Sequence, residues 1–391
     1  TYYPCSIINI SINTHEIHCT IKKLSILTMF LLKKFLYYLK FLSQILVTTF
    51  FLILVLDFFF GQKILVYLDP YLKETEFYEK RANIWHKKFH HTFKENIDMK
   101  SVGFGEINRF CTNEYGFKSN CNIKKRNFFN FGFLGDSFTE GIGLNHKDTF
   151  VGIFENISGL DVANMGVSSY SPKVHLAKIN FFLSKNLKFE HVILFLDISD
   201  YYDEAYYQFD SDKYSVMHNK RDQRRIWLRE NFPFTNFYMY VLKKIEKKNE
   251  KKDNKTTETI FNESANRKTF WLNKNINETK INGKPVITIH EETKNYIDQI
   301  YKILEEKNIK FSLAIYPWPQ NLINTQNNSF YRKEWKEFCQ NKCEYFIDYF
   351  DDFIDEVNKI GFEKVYEKYF FRNDVHFNKE GNLLIANRII E

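Results

Sequence analysis

Continuous apolar runs alternate with mixed apolar and polar stretches along the chain, and this pattern divides it into regions. The longest apolar run, residues 41–60, contains a single charged residue, Asp57. Twenty helical residues extend about 30 Å, which is the thickness of the hydrocarbon core of a bilayer. The run therefore predicts a transmembrane helix, and a membrane as partner, through residues 41–60.

Basic residues on one side of this run predict its orientation. Lys33, Lys34 and Lys40 precede it, and the basic flank of a membrane helix stays in the cytoplasm. A cleavable signal peptide is the alternative, but its apolar run would be shorter and would end in small residues. We therefore expect an uncleaved single-pass anchor, residues 29–61, in the cell inner membrane, with the residues that follow it on the periplasmic, or extracytoplasmic, side.

The residues before the basic flank have a different character. Residues 1–28 show no clear periodicity, begin with Thr and precede Met29. We expect Met29 to be the natural start and residues 1–28 to be translated upstream sequence.

From residue 128 onwards, predicted strands alternate with predicted helices. NFFNFGFL and HVILFL are nearly continuous apolar runs, which are typical of parallel strands covered on both faces. Strand–helix alternation predicts an α/β fold with a doubly wound, flavodoxin-like parallel sheet over residues 128–391.

Two regions interrupt or precede this pattern. Residues 62–127 are polar and aromatic-rich, and we expect a stalk with a strand-poor extension. Residues 205–289 include the charge run KKIEKKNEKKDNK, which is typical of a solvated segment. We interpret them as a charged insertion in the α/β domain.

Composition narrows the possible functions. The chain has 391 residues with 44% hydrophobic and 26% charged content, which is compatible with a sizeable folded core. The net charge of +7 is modest and the Lys residues are dispersed, which argues against nucleic-acid binding. No P-loop or dinucleotide fingerprint is present, so we expect no organic cofactor.

Four of the six cysteines form two closely spaced pairs. Cys111 and Cys121 are ten residues apart, and Cys339 and Cys343 would share one face of a helix. In an oxidising compartment both pairs are candidate disulfides, with reduced thiols as the alternative. Neither pair has the Cys-x-x-Cys spacing or a nearby His, so we expect no metal site.

The strongest chemical signal is the run FLGDSFTEG, which directly follows the first strand of the sheet. Ser137 would lie at the carboxyl end of a parallel strand, where open α/β sheets bind their ligands. A serine hydroxyl is a poor nucleophile without a base. His376, in the run RNDVHFN, is the candidate base, and Asp374 could orient its imidazole.

These runs resemble the motifs of the GDSL, or SGNH, hydrolase family. The resemblance covers residues 128–391 apart from the insertion, and it implies the SGNH hydrolase fold. It also implies that Ser137 is the nucleophile and one oxyanion donor, with Asp374 and His376 completing a triad. The Asp-x-His spacing is similar to that of members involved in polysaccharide O-acetylation.

The resemblance also implies further oxyanion donors. The run NMGVSSY matches the second family block and implies the backbone N–H of Gly166 as second donor. The third block is Gly-x-Asn-Asp in the family, and here it reads Asp-Ile-Ser-Asp. Ser199 therefore stands where the family has its Asn donor.

Two residues near these blocks are candidate substrate contacts. Asp200 lies in the run SDYYDE, which predicts either an acidic rim facing the substrate or helix caps and a solvated loop. Trp318 lies in IYPWPQ after another strand, where it could stack on a sugar or pack within a rigid loop.

The sequence therefore favours a serine-dependent ester hydrolase. Its expected substrate is an O-acyl ester, above all an O-acetyl ester, on an envelope or exopolysaccharide glycan. One alternative is a polysaccharide O-acetyltransferase with the same triad. The other is a catalytically weak glycan-binding or assembly protein, for which the replacement at Ser199 is an argument. A partner in glycan export or acylation fits each of these readings.

Overall fold

The computed structural model describes residues 14–68, 83–104, 106–121, 125–209, 268–323 and 329–391, and a few positions between 216 and 235. The chain forms two compact units. One unit comprises residues 1–64 and 227–243, and the other comprises residues 65–226 and 244–391. The predicted charge run at 243–255 and part of the predicted stalk lie outside the described residues.

The smaller unit contains the apolar helix that the sequence predicts. Helix α1 spans Thr14–Leu68, and its segment Thr28–Gly61 has a mean hydropathy of 2.2 with outward-facing apolar side chains. By length and composition this segment can cross a bilayer, although a signal sequence would meet the same criterion.

The single acidic residue of this apolar run has a structural role. Asp57 is buried, and its carboxylate accepts hydrogen bonds from the backbone N–H groups of Phe234 (2.9 Å) and Thr235 (2.7 Å). The rings of Phe58 and Phe232 lie 6.0 Å apart beside this contact. Two residues from the predicted insertion region are thereby hydrogen-bonded to α1 within this unit.

The larger unit begins with two antiparallel hairpins. Strands β1 (Asn83–His86) and β2 (His90–Phe93) form the first, and strands β3 (Asp98–Gly103) and β4 (Glu106–Cys111) form the second. The prediction of a strand-poor extension is therefore wrong. Its strands are short and carry polar side chains on both faces, so they lack the alternation that marks a half-buried strand.

Seven further strands follow in the described residues of this unit. They are β5 (Phe128–Leu134), β6 (Val162–Asn164), β7 (Lys188–Leu196), β8 (Lys280–Ile281), β9 (Lys284–Pro285), β10 (Lys310–Ile315) and β11 (Phe346–Asp348). Strands β8 and β9 form a short hairpin, and the other five form one parallel sheet in the order β6–β5–β7–β10–β11. In chain order this is 2-1-3-4-5, the flavodoxin-like arrangement, which confirms the predicted fold class.

Helices cover this sheet. They are α2 (Ser137–Glu140), α3 (Phe150–Ser158), α4 (Pro172–Ser184), α5 (Asp200–Glu204), α6 (Val286–Glu305), α7 (Pro319–Ile323), α8 (Ser329–Cys339), α9 (Phe350–Ile360), α10 (Phe362–Tyr369) and α11 (Lys379–Ile390). Residues 191–196 of β7 are all buried, so the sheet is covered on both faces. Helix α6 begins at Val286, so the predicted insertion ends a few residues inside a helix.

Both predicted cysteine pairs are disulfide-bonded in the structure. Cys111 is linked to Cys121 with a Cα–Cα distance of 5.2 Å, and Cys339 is linked to Cys343 with a Cα–Cα distance of 4.8 Å. The first disulfide attaches the end of β4 to the segment that leads into the parallel sheet.

Candidate active site

The candidate nucleophile lies where β5, an interior strand of the parallel sheet, ends. Asp136 caps α2, because its side chain accepts a hydrogen bond from the Phe138 N–H at 2.9 Å. Ser137 is the first residue of this short helix and is half-buried. The turn after β5 thus holds the Ser137 hydroxyl at the carboxyl edge of the sheet.

The structure brings the three predicted catalytic residues into one hydrogen-bonded chain. The Nε2 atom of His376 lies 2.7 Å from the Ser137 Oγ atom. The Nδ1 atom of the same ring is hydrogen-bonded to Asp374 Oδ1, which also accepts the His376 backbone N–H at 2.9 Å. Ser137 and His376 are 239 residues apart in sequence, so the fold alone creates this contact.

With the Asp-x-His spacing, the Asp374 carboxylate is thus hydrogen-bonded to the His376 imidazole. Burial opposes ionisation of Asp374, but hydrogen bonds from the ring and backbone of His376 outweigh it, and the pKa of Asp374 is lowered. The Tyr366 hydroxyl bonds to both the N–H and the C=O of Asp374, each at 3.0 Å. This tyrosine fixes the loop that carries the pair.

A second carboxylate, that of Asp136, lies within hydrogen-bond distance of the Ser137 hydroxyl. The Ser137 Oγ atom lies 3.1 Å from Asp136 Oδ2, and the Tyr316 hydroxyl donates to Asp136 Oδ1 at 3.2 Å. Burial and the nearby Asp197 carboxylate raise the pKa of Asp136 to about 7. The Ser137 hydroxyl has one proton and two acceptors, so Asp136 competes with His376 for that proton when it is ionised.

The raised pKa of Asp136 predicts a pH dependence of stability. Between about pH 4 and pH 7 the folded state binds more protons at Asp136 than the unfolded state, so the free energy of unfolding falls as pH rises. Urea unfolding at pH 4.5 and 7.5 should show a smaller fall for Asp136→Asn than for the wild type. Asp355→Asn, at an exposed carboxylate, is the control, and equal slopes for all three proteins would contradict the prediction.

The geometry does not support Gly166 as an oxyanion donor. Its backbone N–H donates to the Asn164 side-chain oxygen at 3.1 Å and is therefore occupied. The glycine has a different role, because an added Cβ would lie 2.4 Å from Glu140 N and 2.6 Å from Thr139 C. Gly166 allows its loop to approach the backbone of α2 closely. The sequence could not separate these two roles, since the glycine has a backbone N–H in either case and the close approach shows only in the fold.

The third block folds into a buried network around Asp197. The Asp197 carboxylate accepts the Ser199 N–H at 2.6 Å and the Trp318 indole N–H at 2.7 Å. Asp200 is 1% exposed, and its carboxylate accepts the Asp197 N–H at 2.8 Å. Asp200 and Trp318 are both buried, so their predicted substrate-binding role is corrected to hydrogen bonding within this network. Ser199 is also buried, at the start of α5.

Two aromatic rings lie beside the candidate base His376, and the sequence motifs do not predict either contact. The ring of Phe138 lies 4.7 Å from the His376 ring, and that of Phe104 lies 6.2 Å from it. Phe104 comes from the β3–β4 turn, far from the motifs in sequence. Its flanking glycines in GFG indicate a turn, but they do not reveal which loop the turn approaches.

Candidate metal ligands come together at one place within the described ranges. Asp98, Cys111 and Cys121 have ligand atoms within 4.8 Å of one another. The two sulfur atoms are joined in a disulfide and offer no thiolate, so this group does not fit a metal ion.

No protein-family model and no curated protein matches the chain. Similar solved structures include a member of the lipolytic protein G-D-S-L family from Veillonella parvula, with 11% identity, a TM-score of 0.36 and coverage of 66% of this chain and 95% of that chain. They also include a psychrotrophic esterase from a Pseudoalteromonas species, with 11% identity, a TM-score of 0.34 and coverage of 68% and 95%.

A third similar structure is an acetylxylan esterase from Geobacillus stearothermophilus, with 12% identity, a TM-score of 0.37 and coverage of 67% of this chain and 92% of that chain.

Proposed function

We propose that this protein is a serine ester hydrolase of the GDSL, or SGNH, type. The observation that carries the proposal is the hydrogen-bonded chain from Ser137 through His376 to Asp374. An adjacent base converts a serine hydroxyl into a nucleophile, and a carboxylate behind the base fixes its tautomer. This hydrogen-bonded triad lies at the carboxyl edge of a parallel sheet, where α/β enzymes bind substrate.

The proposed reaction proceeds in two halves. In the first, Ser137 Oγ attacks the acyl carbonyl carbon while His376 Nε2 takes the hydroxyl proton. His376 then returns this proton to the alcohol oxygen, the ester bond breaks, and the acyl group stays on Ser137. In the second half, His376 removes a proton from water as the water oxygen attacks the acyl carbon. The bond between the acyl carbon and Ser137 Oγ then breaks, His376 returns the proton to Ser137 Oγ, and the acid is released. Asp374 stabilises the imidazolium in both halves.

The negative charge that develops on the carbonyl oxygen needs hydrogen-bond donors. The backbone N–H of Ser137 is the proposed first donor, because it belongs to the attacking residue. The Ser199 hydroxyl remains a proposed further donor, whereas the Gly166 N–H is bonded to Asn164 in this structure. One such donor contributes about 10²–10³ in rate.

The proposed substrate is an O-acyl ester, such as an O-acetyl ester, on an envelope or exopolysaccharide glycan. The support for this proposal is the apolar helix with Lys33, Lys34 and Lys40 before it, which would anchor the chain in the inner membrane and export the α/β unit. An exported unit at this membrane would meet acylated envelope glycans, and the proposed partners are proteins of glycan export or acylation. If a sugar hydroxyl replaces water as acceptor, the same triad performs O-acetyl transfer.

A covalent probe tests the proposed nucleophile. The full chain in detergent, kept oxidised, is treated with a fluorophosphonate, and the labelled peptide is identified by mass spectrometry. We expect one label at Ser137, lost in Ser137→Ala and retained in Ser184→Ala, a change at an exposed serine. A folded wild type that takes no label would refute the hydrolase and favour the glycan-binding alternative.

Product analysis then distinguishes hydrolysis from transfer. The wild type is incubated with an acetylated oligosaccharide, with and without an excess of the deacetylated oligosaccharide. Release of acetate that the acceptor does not suppress indicates an esterase. Formation of newly acetylated acceptor in place of acetate indicates an acetyltransferase.

A further inference from the structure

The second hairpin of the extension carries an aromatic side chain at its tip. Gly103 at the end of β3 pairs with Glu106 at the start of β4, and Phe104 lies in the turn between them. Phe104 has a positive φ of 51°, which is uncommon for a bulky residue, and its side chain is 39% exposed. A bulky apolar side chain in this conformation needs support from its surroundings.

That support comes from the loop that follows the nucleophile helix. The backbones of Gly103 and Gly143 touch, because a Cβ on Gly103 would lie 2.2 Å from the Gly143 Cα atom. The Asn108 side chain donates to Gly143 O at 2.6 Å, and the Arg109 N–H donates to the Asn145 side chain at 2.9 Å. The hairpin is therefore fixed against residues 143–145, a few residues after Ser137.

The Phe104 ring is also stacked on the loop that carries the base. Its centroid lies 3.9 Å from that of Phe371, with an angle of 14° between the two planes. The Phe371 N–H donates to His376 O at 2.9 Å, and the Phe104 ring lies 6.2 Å from the His376 ring. Phe104 and Phe371 thus form an aromatic pair on the His376 side of the candidate site.

The direction of proton transfer indicates which half of the substrate this pair would meet. In the proposed reaction, His376 Nε2 returns its proton to the alcohol oxygen, so the alcohol must lie within hydrogen-bond reach of that atom. The acyl carbonyl carbon is bonded instead to Ser137 Oγ. Groups that border His376 are therefore closer to the alcohol half of the ester than to the acyl half.

We propose that Phe104 and Phe371 form a binding platform for the alcohol half of the ester, and that this alcohol is a sugar. A stacked pair of partly exposed rings offers an apolar surface that matches the C–H face of a pyranose, while the hydroxyl groups of the sugar stay in water. This inference rests on the proposed esterase function and names the part of the chain that selects the alcohol.

Kinetics with two ester series test the platform. One series keeps the acetyl group and varies the alcohol, from ethyl acetate to a peracetylated glucose. The other keeps p-nitrophenol and varies the acyl group from acetate to butyrate. For Phe104→Ala we expect the KM for the acetylated sugar to rise about tenfold, with KM for ethyl acetate and the acetate-to-butyrate preference unchanged.

Two further variants keep the result interpretable. Phe128→Ala removes a similarly exposed phenylalanine (38%) at the other end of β5 and should leave all values unchanged. Phe104→Leu keeps the apolar volume without the aromatic face, and we expect a raised KM for the sugar ester here as well. A changed acyl preference with an unchanged KM for the sugar ester would overturn the proposal.

Fluorophosphonate labelling distinguishes a failure of the platform proposal from a failure of the proposed esterase function on which it rests. If Phe104→Ala and the wild type are both labelled, the hydrolase is intact and the kinetic comparison decides the platform. If the wild type is not labelled, the proposed function itself fails. If Phe104→Ala loses labelling and Phe104→Leu keeps it, the KM of Phe104→Leu for the sugar ester tests the platform. An unchanged KM in that variant would overturn the platform proposal.

Discussion

His376→Ala is expected to lower kcat for p-nitrophenyl acetate by about 10⁶-fold, because Ser137 would lose the group that takes its proton. Asp374→Asn should lower kcat by about 10⁴-fold, because an amide favours the wrong imidazole tautomer. The residual rate would come from the oxyanion donors and substrate binding. Initial rates over a range of substrate concentrations measure both effects.

The triad also predicts that these losses are not additive. In the Asp374→Asn/His376→Ala double variant, kcat should be close to that of His376→Ala alone, since Asp374 acts only through the imidazole. Lys379→Ala, a change at an exposed residue beside the same loop, serves as control and should keep wild-type kcat. A His376→Ala variant that retains more than a tenth of wild-type kcat would rule out this residue as the base.

Gly166→Ala is expected to damage both stability and catalysis. The added Cβ would meet backbone atoms of α2, namely Glu140 N at 2.4 Å and Thr139 C at 2.6 Å, so the helix that begins with Ser137 must move. We expect the free energy of unfolding to fall by about 1–3 kcal/mol. A displacement of about 1 Å at the nucleophile would lower kcat by about 10²-fold.

A second glycine provides the comparison. Gly159 has a positive φ of 68° and no heavy atom within 4 Å of an added Cβ. Gly159→Ala should therefore cost about 1–2 kcal/mol of local backbone strain and leave kcat unchanged. Urea midpoints and kcat for the two variants check the prediction. An unchanged kcat in Gly166→Ala would show that α2 does not depend on this close approach.

The sequence predicts the parallel sheet and the chemical residues well, for a physical reason. Strands such as β7 are buried on both faces and therefore read as continuous apolar runs. In such a sheet all strand ends of one sense meet at one edge, which places Ser137 at that edge because it directly follows β5. His376 lies between α10 and α11, and only its motif assigns it to the same site across 239 residues.

The sequence predicts the surroundings of this site less well. Asp200 and Trp318 follow strands at the correct edge, but only the coordinates show that both bond to the buried Asp197 segment. Phe104 reaches His376 through contacts between Gly103 and Gly143, and neither glycine carries a side chain whose pattern could reveal the pairing. Contacts of this kind depend on three-dimensional position and leave no periodic signal.

The hydrogen bonds from Phe234 and Thr235 to Asp57 can form only late in biosynthesis. Phe234, one of its two donors, is synthesised 177 residues after Asp57. At typical elongation rates this separation corresponds to about 10–35 s. During that interval the carboxylate can be satisfied only by other groups, such as water, and a nascent chain that ends before residue 234 lacks the contact altogether. During synthesis Asp57 therefore lacks its two backbone donors, and it gains them only after residues 234 and 235 have been made.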